Sequence, residues 1–141
     1  MNPIILKKIG ADRNHLPDDS IDHVAVFLPD YGLTFTATSI VESDVPHADC
    51  ESAAKALDLL GHTDWDLPTI EELQLLIDRS RYSPAINTAF FKDIQNDWYW
   101  SKTPAAWSSA SAWLVSFYLG GVSGLHRGYY GFALAVRRAG Q

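Results

Sequence analysis

The sequence is short of several things, and each shortage excludes a class of protein. Cys50 is the only cysteine, so no disulfide can form within the chain and packing alone must hold the fold. No apolar run approaches the roughly 20 residues that a membrane helix needs, so no membrane insertion is expected. Ile4, Ile5 and Leu6 precede Lys7 and Lys8, the reverse of a secretory signal, and no signal peptide is expected. That leaves the location open between cytoplasm, a phage-type particle and export with a partner. All 17 carboxylates lie at or before Asp97. Residues 102–141 carry only Lys102, Arg127, Arg137 and Arg138 as charged side chains, too sparse a set of cations for nucleic acid.

Catalytic constellations are missing as well. The histidines His15, His23, His47, His62 and His126 follow no metal-ligand spacing. His62 and Asp64 are close, but in a turn between two helical stretches. No nucleophile elbow and no Gly-rich phosphate loop occur. Cys50 falls on the apolar face of a helical stretch and reads as a small buried hydrophobe. The expectation is a protein that is not an enzyme and needs neither cofactor nor metal.

What remains is one ordinary globular domain, with 47% hydrophobic and 12% aromatic residues and a net charge of −6. No repeat or linker interrupts it. Residues 1–22 read as an irregular N-terminal arm and residues 23–141 as the domain. His23 to Leu28 alternates as a strand, Pro29 to Gly32 turns, and Leu33 to Val41 returns. Ala48 to Leu60 reads as a helix stopped by Gly61. Thr69 and Glu72 form a capping box for a second helix running to about Arg79 or Ser80. Ala112 to Tyr118 reads as a strand, Gly120-Gly121 as a hairpin turn, and Phe132 to Val136 as the last strand, able to pair with the first. The class is α+β, two helices packed on antiparallel strands.

Several ordered motifs resemble one family. Trp65-Asp66-Leu67-Pro68-Thr69-Ile70-Glu71-Glu72-Leu73 is similar to the "W-R-L-P-T-x-x-E-L" signature of the Legionella collagen-like protein C-terminal domain family. Pro84-Ala85-Ile86-Asn87 with Phe90, Tyr99-Trp100-Ser101-Lys102-Thr103, Ala112-Trp113 to Gly120-Gly121-Val122, and Ala135-Val136-Arg137 continue the resemblance in order. Tyr31 to Thr34 resembles its opening, with Phe35 near the place of the usual tryptophan. The resemblance implies a C-type-lectin-like fold, related to that of formylglycine-generating enzymes, with long C-terminal loops. The formylglycine chemistry uses a cysteine pair, which one cysteine cannot supply. The "E-P-N" and "W-N-D" motifs of calcium-dependent sugar sites are missing, so recognition is expected to be calcium-independent.

Function must therefore come from a site rather than the fold. From Thr103 to His126 no Lys, Arg, Asp or Glu occurs. Residues 105–131 are instead rich in Trp, Tyr, Ser and Gly, the vocabulary of binding surfaces. Trp113, Val115 and Phe117 read as core. The expected binding face comprises Trp107, Ser108, Ser109, Ser111, Tyr118, Leu119, Ser123, Leu125, His126, Arg127, Tyr129 and Tyr130. The family includes targets of diversity-generating retroelements, whose mutagenesis yields Ser, Tyr, Gly, Leu, His, Phe, Ala and Arg at randomised positions but not Trp, and Ser108, Ser109, Ser111, Ser116, Tyr118, Leu119, Ser123, Leu125, His126, Tyr129 and Tyr130 fit that set. Three readings follow: a variable receptor-binding protein, a fixed-specificity surface or glycan-binding adhesin module, and a diverged formylglycine-type enzyme. The partner expected is a protein or glycan on a cell surface, and the exposed aromatics leave room for a homo-oligomer.

Overall fold

A computed structural model describes residues 4–139. In chain order the elements are β1 (Lys7–Gly10), β2 (His15–Leu16), β3 (His23–Leu28), β4 (Leu33–Thr36), β5 (Val45–Pro46), α1 (His47–Ala56), α2 (Ile70–Gln74), β6 (Trp98–Ala105), β7 (Ser108–Ser116), β8 (Gly121–His126), β9 (Tyr130–Gly131) and β10 (Val136–Arg137). A five-stranded sheet runs in the order β10-β4-β3-β1-β2, a three-stranded one β6-β7-β8, and β5 pairs with β9. Strands dominate and the two helices are short, an α+β arrangement weighted towards β.

The three-stranded sheet has a packed core on each face. One core joins Val26, Leu28, Phe35, Leu73, Phe91, Tyr99, Val115, Phe117 and Leu134. The other joins Cys50 and Ala54 of α1 to Trp65, Leu67, Trp100, Ala112 and Leu114. The alternation on β7 explains the division: Ala112 and Leu114 point to one side and Val115 and Phe117 to the other. Each fully buried Leu or Phe contributes roughly 1.5–3 kcal/mol of transfer free energy.

The expected arm of residues 1–22 is corrected over Lys7–Gly10 and His15–Leu16. β1 pairs antiparallel with β3 and lies inside the sheet, not beside it. Ile9 is fully buried. The side chain that disguised this strand is Lys8, whose Nζ donates to the Asp18 and Ser20 carbonyls at 2.6 and 2.5 Å. Its charge is satisfied by main chain, so a polar residue occupies a core-facing strand position. Residues 1–3 of that arm, and 140–141 at the other end, lie outside the described residues.

The helices are shorter than periodicity suggests. α1 ends at Ala56, where Leu57 turns extended. Leu59 and His62 then bridge across a tight turn in which Leu60 and Gly61 have φ of 59° and 73°. Gly61 thus serves a hairpin-like turn rather than a helix C-terminus. α2 begins as expected: Thr69 accepts from the Glu72 amide, and the Glu72 carboxylate accepts from the Thr69 amide. It tightens after Gln74 through i→i+3 bonds from Leu75 to Glu72, Leu76 to Leu73 and Ile77 to Gln74, and does not reach Arg79.

Two further expectations are corrected at the C-terminal end. Phe132–Val136 is not one strand: Phe132 bridges Tyr99, and only Val136–Arg137 joins the large sheet. There β10 pairs with β4, not with the first strand. The long C-terminal loops are mostly ladder instead. Ser108 to Ser116 and Gly121 to His126 form a continuous six-pair hairpin, because Ala112, Leu114 and Val115 anchor both cores. The returning strand β4 ends at Thr36 rather than Val41, where Thr36 Oγ1 donates to the Thr38 carbonyl and the chain turns away.

Candidate functional site

The β6–β7 hairpin turns on two residues, Ala106 and Trp107, between the paired Ala105 and Ser108. A turn tip has no core to enter, and Trp107 remains 64% exposed. It is nonetheless held. Its ring lies edge-on to Trp113, with centroids 5.3 Å apart and planes at 80°. Its far edge covers Gly124, where a Cβ would come within 2.5 Å of the Trp107 ring. Trp113 is directly opposite Gly124, and Ser111 opposite His126. With the two-residue period of a strand, Ser111, Trp113, Gly124 and His126 share one face. They and Trp107 form an aromatic shelf with two small polar groups beside it.

The rest of the tip surrounds this shelf. Ser108 Oγ accepts from the Ala110 amide, and Ser109 is exposed. The Arg127 amide donates to the Ala110 carbonyl, bringing the chain after β8 back to the tip. Arg127 itself turns to the opposite face. Its Nη1 lies 3.3 Å from His47 Nδ1 and 3.8 Å from a Glu51 oxygen. His47 Nε2 lies 2.8 Å from the Ser101 carbonyl, and its Nδ1 faces Glu51 Oε1 at 3.2 Å as well as Arg127. Glu51 offsets much of the Arg127 charge, so the shelf is close to neutral.

The expected binding face is therefore not one surface. Trp107, Ser108, Ser109, Ser111 and His126 gather at the tip. Leu125 alternates to the other face, half-buried against the second core, and Ser123 is exposed on that same face. Tyr118 and Leu119 lie in the turn at the other end of the hairpin, five ladder steps or about 17 Å away. Gly120, with φ of 85°, pins that turn against Ile77. Tyr129 and Tyr130 make a second exposed patch, with Tyr129 edge-on to Trp98 at 6.4 Å and Tyr130 paired with Pro46.

Trp113 was expected in the core, yet it is half-buried and forms part of the shelf. The signal was in its surroundings: Ser111 precedes it by one strand period, and a glycine must face it for Trp107 to lie down. Val115 and Phe117 are core as expected. Cys50 is buried, with its thiol 3.7 Å from the Gly131 carbonyl. Burial, with Asp49 and Glu51 nearby, pushes the thiol up to about 12, away from nucleophilic use. Among the described residues no group of three His, Cys, Asp or Glu side chains is placed to hold a metal ion. No described helix is long and apolar enough to cross a membrane.

A family model described as the Lcl C-terminal domain matches residues 30–137. No curated protein matches the sequence.

Proposed function

The chain belongs to the Lcl C-terminal domain family over residues 30–137, and from that premise we propose that it is a non-enzymatic ligand-binding module, adhesin-like, whose recognition surface is the Trp107 shelf. The observation that carries this is the exposed Trp107 ring, held in a defined orientation by Trp113 and Gly124. A large aromatic left in water, yet fixed at both edges, offers contact area with little entropy left to lose. Ser109, Ser111 and His126 supply adaptable hydrogen bonding around it. The ligand class is a neutral glycan or protein epitope on a cell surface, recognised without calcium, since no carboxylate follows Asp97.

The scaffold reads as C-type-lectin-like. In support of that, strands from both ends of the chain enter one sheet, while a separate three-stranded sheet carries the shelf. The test is a glycan array and cell-surface binding assay with the intact protein and its Trp107→Ala and Tyr118→Ala variants. Binding lost in the first and kept in the second is the expected result. Equal binding by all three would remove the shelf from the function.

A second reading, a variable receptor-binding protein of a diversity-generating retroelement, is favoured by one observation. Ser108, Ser109, Ser111, Ser116, Tyr118, Leu119, Ser123, Leu125, His126, Tyr129 and Tyr130 are all at least partly exposed. Except at Leu125, which packs on the second core, none of these side chains is part of either core. A neighbouring reverse-transcriptase gene, with a near-copy of the segment for residues 105–135 differing at adenines, is what this reading requires. Genomic sequence without them eliminates it.

A further inference from the structure

Where the chain leaves β4 it borders a cleft of about 450 Å³. The walls are residues 23–24 of β3, residues 36–40, Leu57 and Leu59 beyond α1, and Lys92. We infer that this cleft is a binding site, sharing no residue with the Trp107 shelf, for an aliphatic carboxylic acid: one carboxylate on a saturated hydrocarbon body.

Size and lining set the body of the ligand. Small-molecule sites occupy roughly 300–1,000 Å³, so this cleft has room for a molecule rather than a lone ion. Its apolar wall is aliphatic: Val24, Ala37, Ile40, Leu57 and Leu59 contribute, and no Phe, Tyr or Trp lines the cleft. Ile40, Leu57 and Leu59 pack on the second core from outside and stay only partly buried. An occupant that covers them removes apolar surface from water. Flexible hydrocarbon suits such a wall, because no ring is there to impose the geometry of an aromatic pair.

The polar side chains with capacity left are donors. Thr36 is used up: its Oγ1 donates to the Thr38 carbonyl at 2.9 Å and accepts from the Ala135 amide at 3.1 Å. Ser39 Oγ accepts from the Val41 and Ala133 amides at 3.2 and 3.5 Å, and its own O–H has no acceptor among the described residues. Lys92 is fixed at both ends. Its amide donates to the Ala37 carbonyl at 2.7 Å, and its Nζ to the Ile21 and His23 carbonyls at 2.6 Å each. Two of the three ammonium protons are thereby placed and one remains. Carbonyls hold the ammonium without neutralising it, and Lys92 forms no ion pair with a carboxylate among the described residues. The walls contain no Asp or Glu, and burial holds His23 below its ordinary 6.5, so that ring is neutral at neutral pH. The cleft thus sets one uncompensated, positioned cation beside an aliphatic wall. A carboxylate supplies the charge and the acceptor oxygens that Lys92 and Ser39 lack.

The test is an amide and indole NMR titration of the whole chain with octanoate. 1-Octanol serves as its neutral counterpart, and acetate as a carboxylate without a body. The expected result is a saturable shift of the amides of residues 37–40 with octanoate, about tenfold weaker or more with 1-octanol and with acetate, while the Trp107 indole stays still. Lys92→Met is expected to weaken octanoate by about tenfold or more, the loss of a charge-assisted contact. Leu57→Ser is expected to weaken it with the charge intact, the amide spectrum of each variant confirming the fold. The three-ligand comparison needs no variant, so a Lys92→Met chain that fails to fold leaves the test standing. No saturable shift at residues 37–40, 1-octanol or acetate bound as tightly as octanoate, or unchanged octanoate affinity in either folded variant would overturn the assignment. Because Trp107 is read in the same spectra, failure here is separate from failure of the shelf.

Discussion

Trp107 and Trp113 sit edge to face, 5.3 Å between centroids, across a hairpin in which one is at the turn and the other on the strand. The pair divides its labour. Trp113 packs on the first core, and Trp107 packs on Trp113. What the solvent meets is a Trp107 ring that has lost its freedom without losing its exposure.

The two tryptophans should respond differently to truncation. Trp107→Ala is expected to cost about 1 kcal/mol or less in urea unfolding, the size of one aromatic pair at an exposed site. Trp113→Ala, half-buried on the core, is expected to cost about 2 kcal/mol or more. Ligand capture should be lost in both. A Trp107→Ala variant that unfolds as readily as Trp113→Ala would make the turn ring structural.

Gly124→Ala tests the support from below. The new Cβ meets the far end of an exposed side chain, at 2.5 and 2.7 Å from Trp107 ring atoms, so the ring swings away and the fold survives. Near-ultraviolet circular dichroism from the coupled indoles should fall while the unfolding midpoint barely moves. An unchanged spectrum would mean that the two rings are not held together.

The C-terminal arginine should shape the acid limb of stability. Arg138 donates to Glu72 at 2.7 Å and to Asp66 at 2.8 Å. Burial alone would raise both carboxyls, but hydrogen bonds from Arg138 and Lys102 to Asp66, and from Arg138 and the Thr69 amide to Glu72, hold them below their ordinary 3.8 and 4.5. Depressed carboxyls contribute stability that is present above the ordinary values and lost as pH falls through the folded ones. Arg138→Gln is therefore expected to cost about 1 kcal/mol at neutral pH, given partial exposure, and nothing at low pH. Unfolding midpoints at both pH values check this, and a pH-independent cost would contradict it.

His23 works at a higher pH. Burial lowers it from 6.5, against a hydrogen bond to the Phe90 carbonyl at 2.6 Å that raises it. A ring kept neutral contributes stability above its unfolded value and loses it as the unfolded chain takes up the proton. Stability is expected to decline as pH falls through the ordinary 6.5, and the decline should flatten in His23→Gln. Equal slopes in the two proteins would locate the titrating group elsewhere.

Cys50 should be silent. Its thiol, pushed up to about 12, stays protonated and enclosed by α1 and the Gly131 carbonyl. Iodoacetamide at about pH 8 is expected to leave the native protein unlabelled, and Cys50→Ala to cost about 1 kcal/mol with binding intact. Rapid labelling of the native protein would reopen a role for the thiol.

What the sequence determined by itself was local chemistry. The Thr69–Glu72 capping box needs only four adjacent residues, and the His23–Leu28 strand only its own alternation, so both were legible. The charge-free stretch from Thr103 to His126 likewise singled out the segment that we propose for recognition. Tertiary structure decided the rest, because the deciding partners are distant in the chain. β1 is a strand because Lys8 finds the Asp18 and Ser20 carbonyls. Trp113 is surface as well as core because Gly124 faces it across the ladder and leaves room for Trp107. The dozen expected binding residues share a composition, but strand geometry sets Tyr118 and Leu119 at the opposite end of the hairpin from Trp107. Composition reports which side chains can bind; only register reports which of them can touch the same ligand.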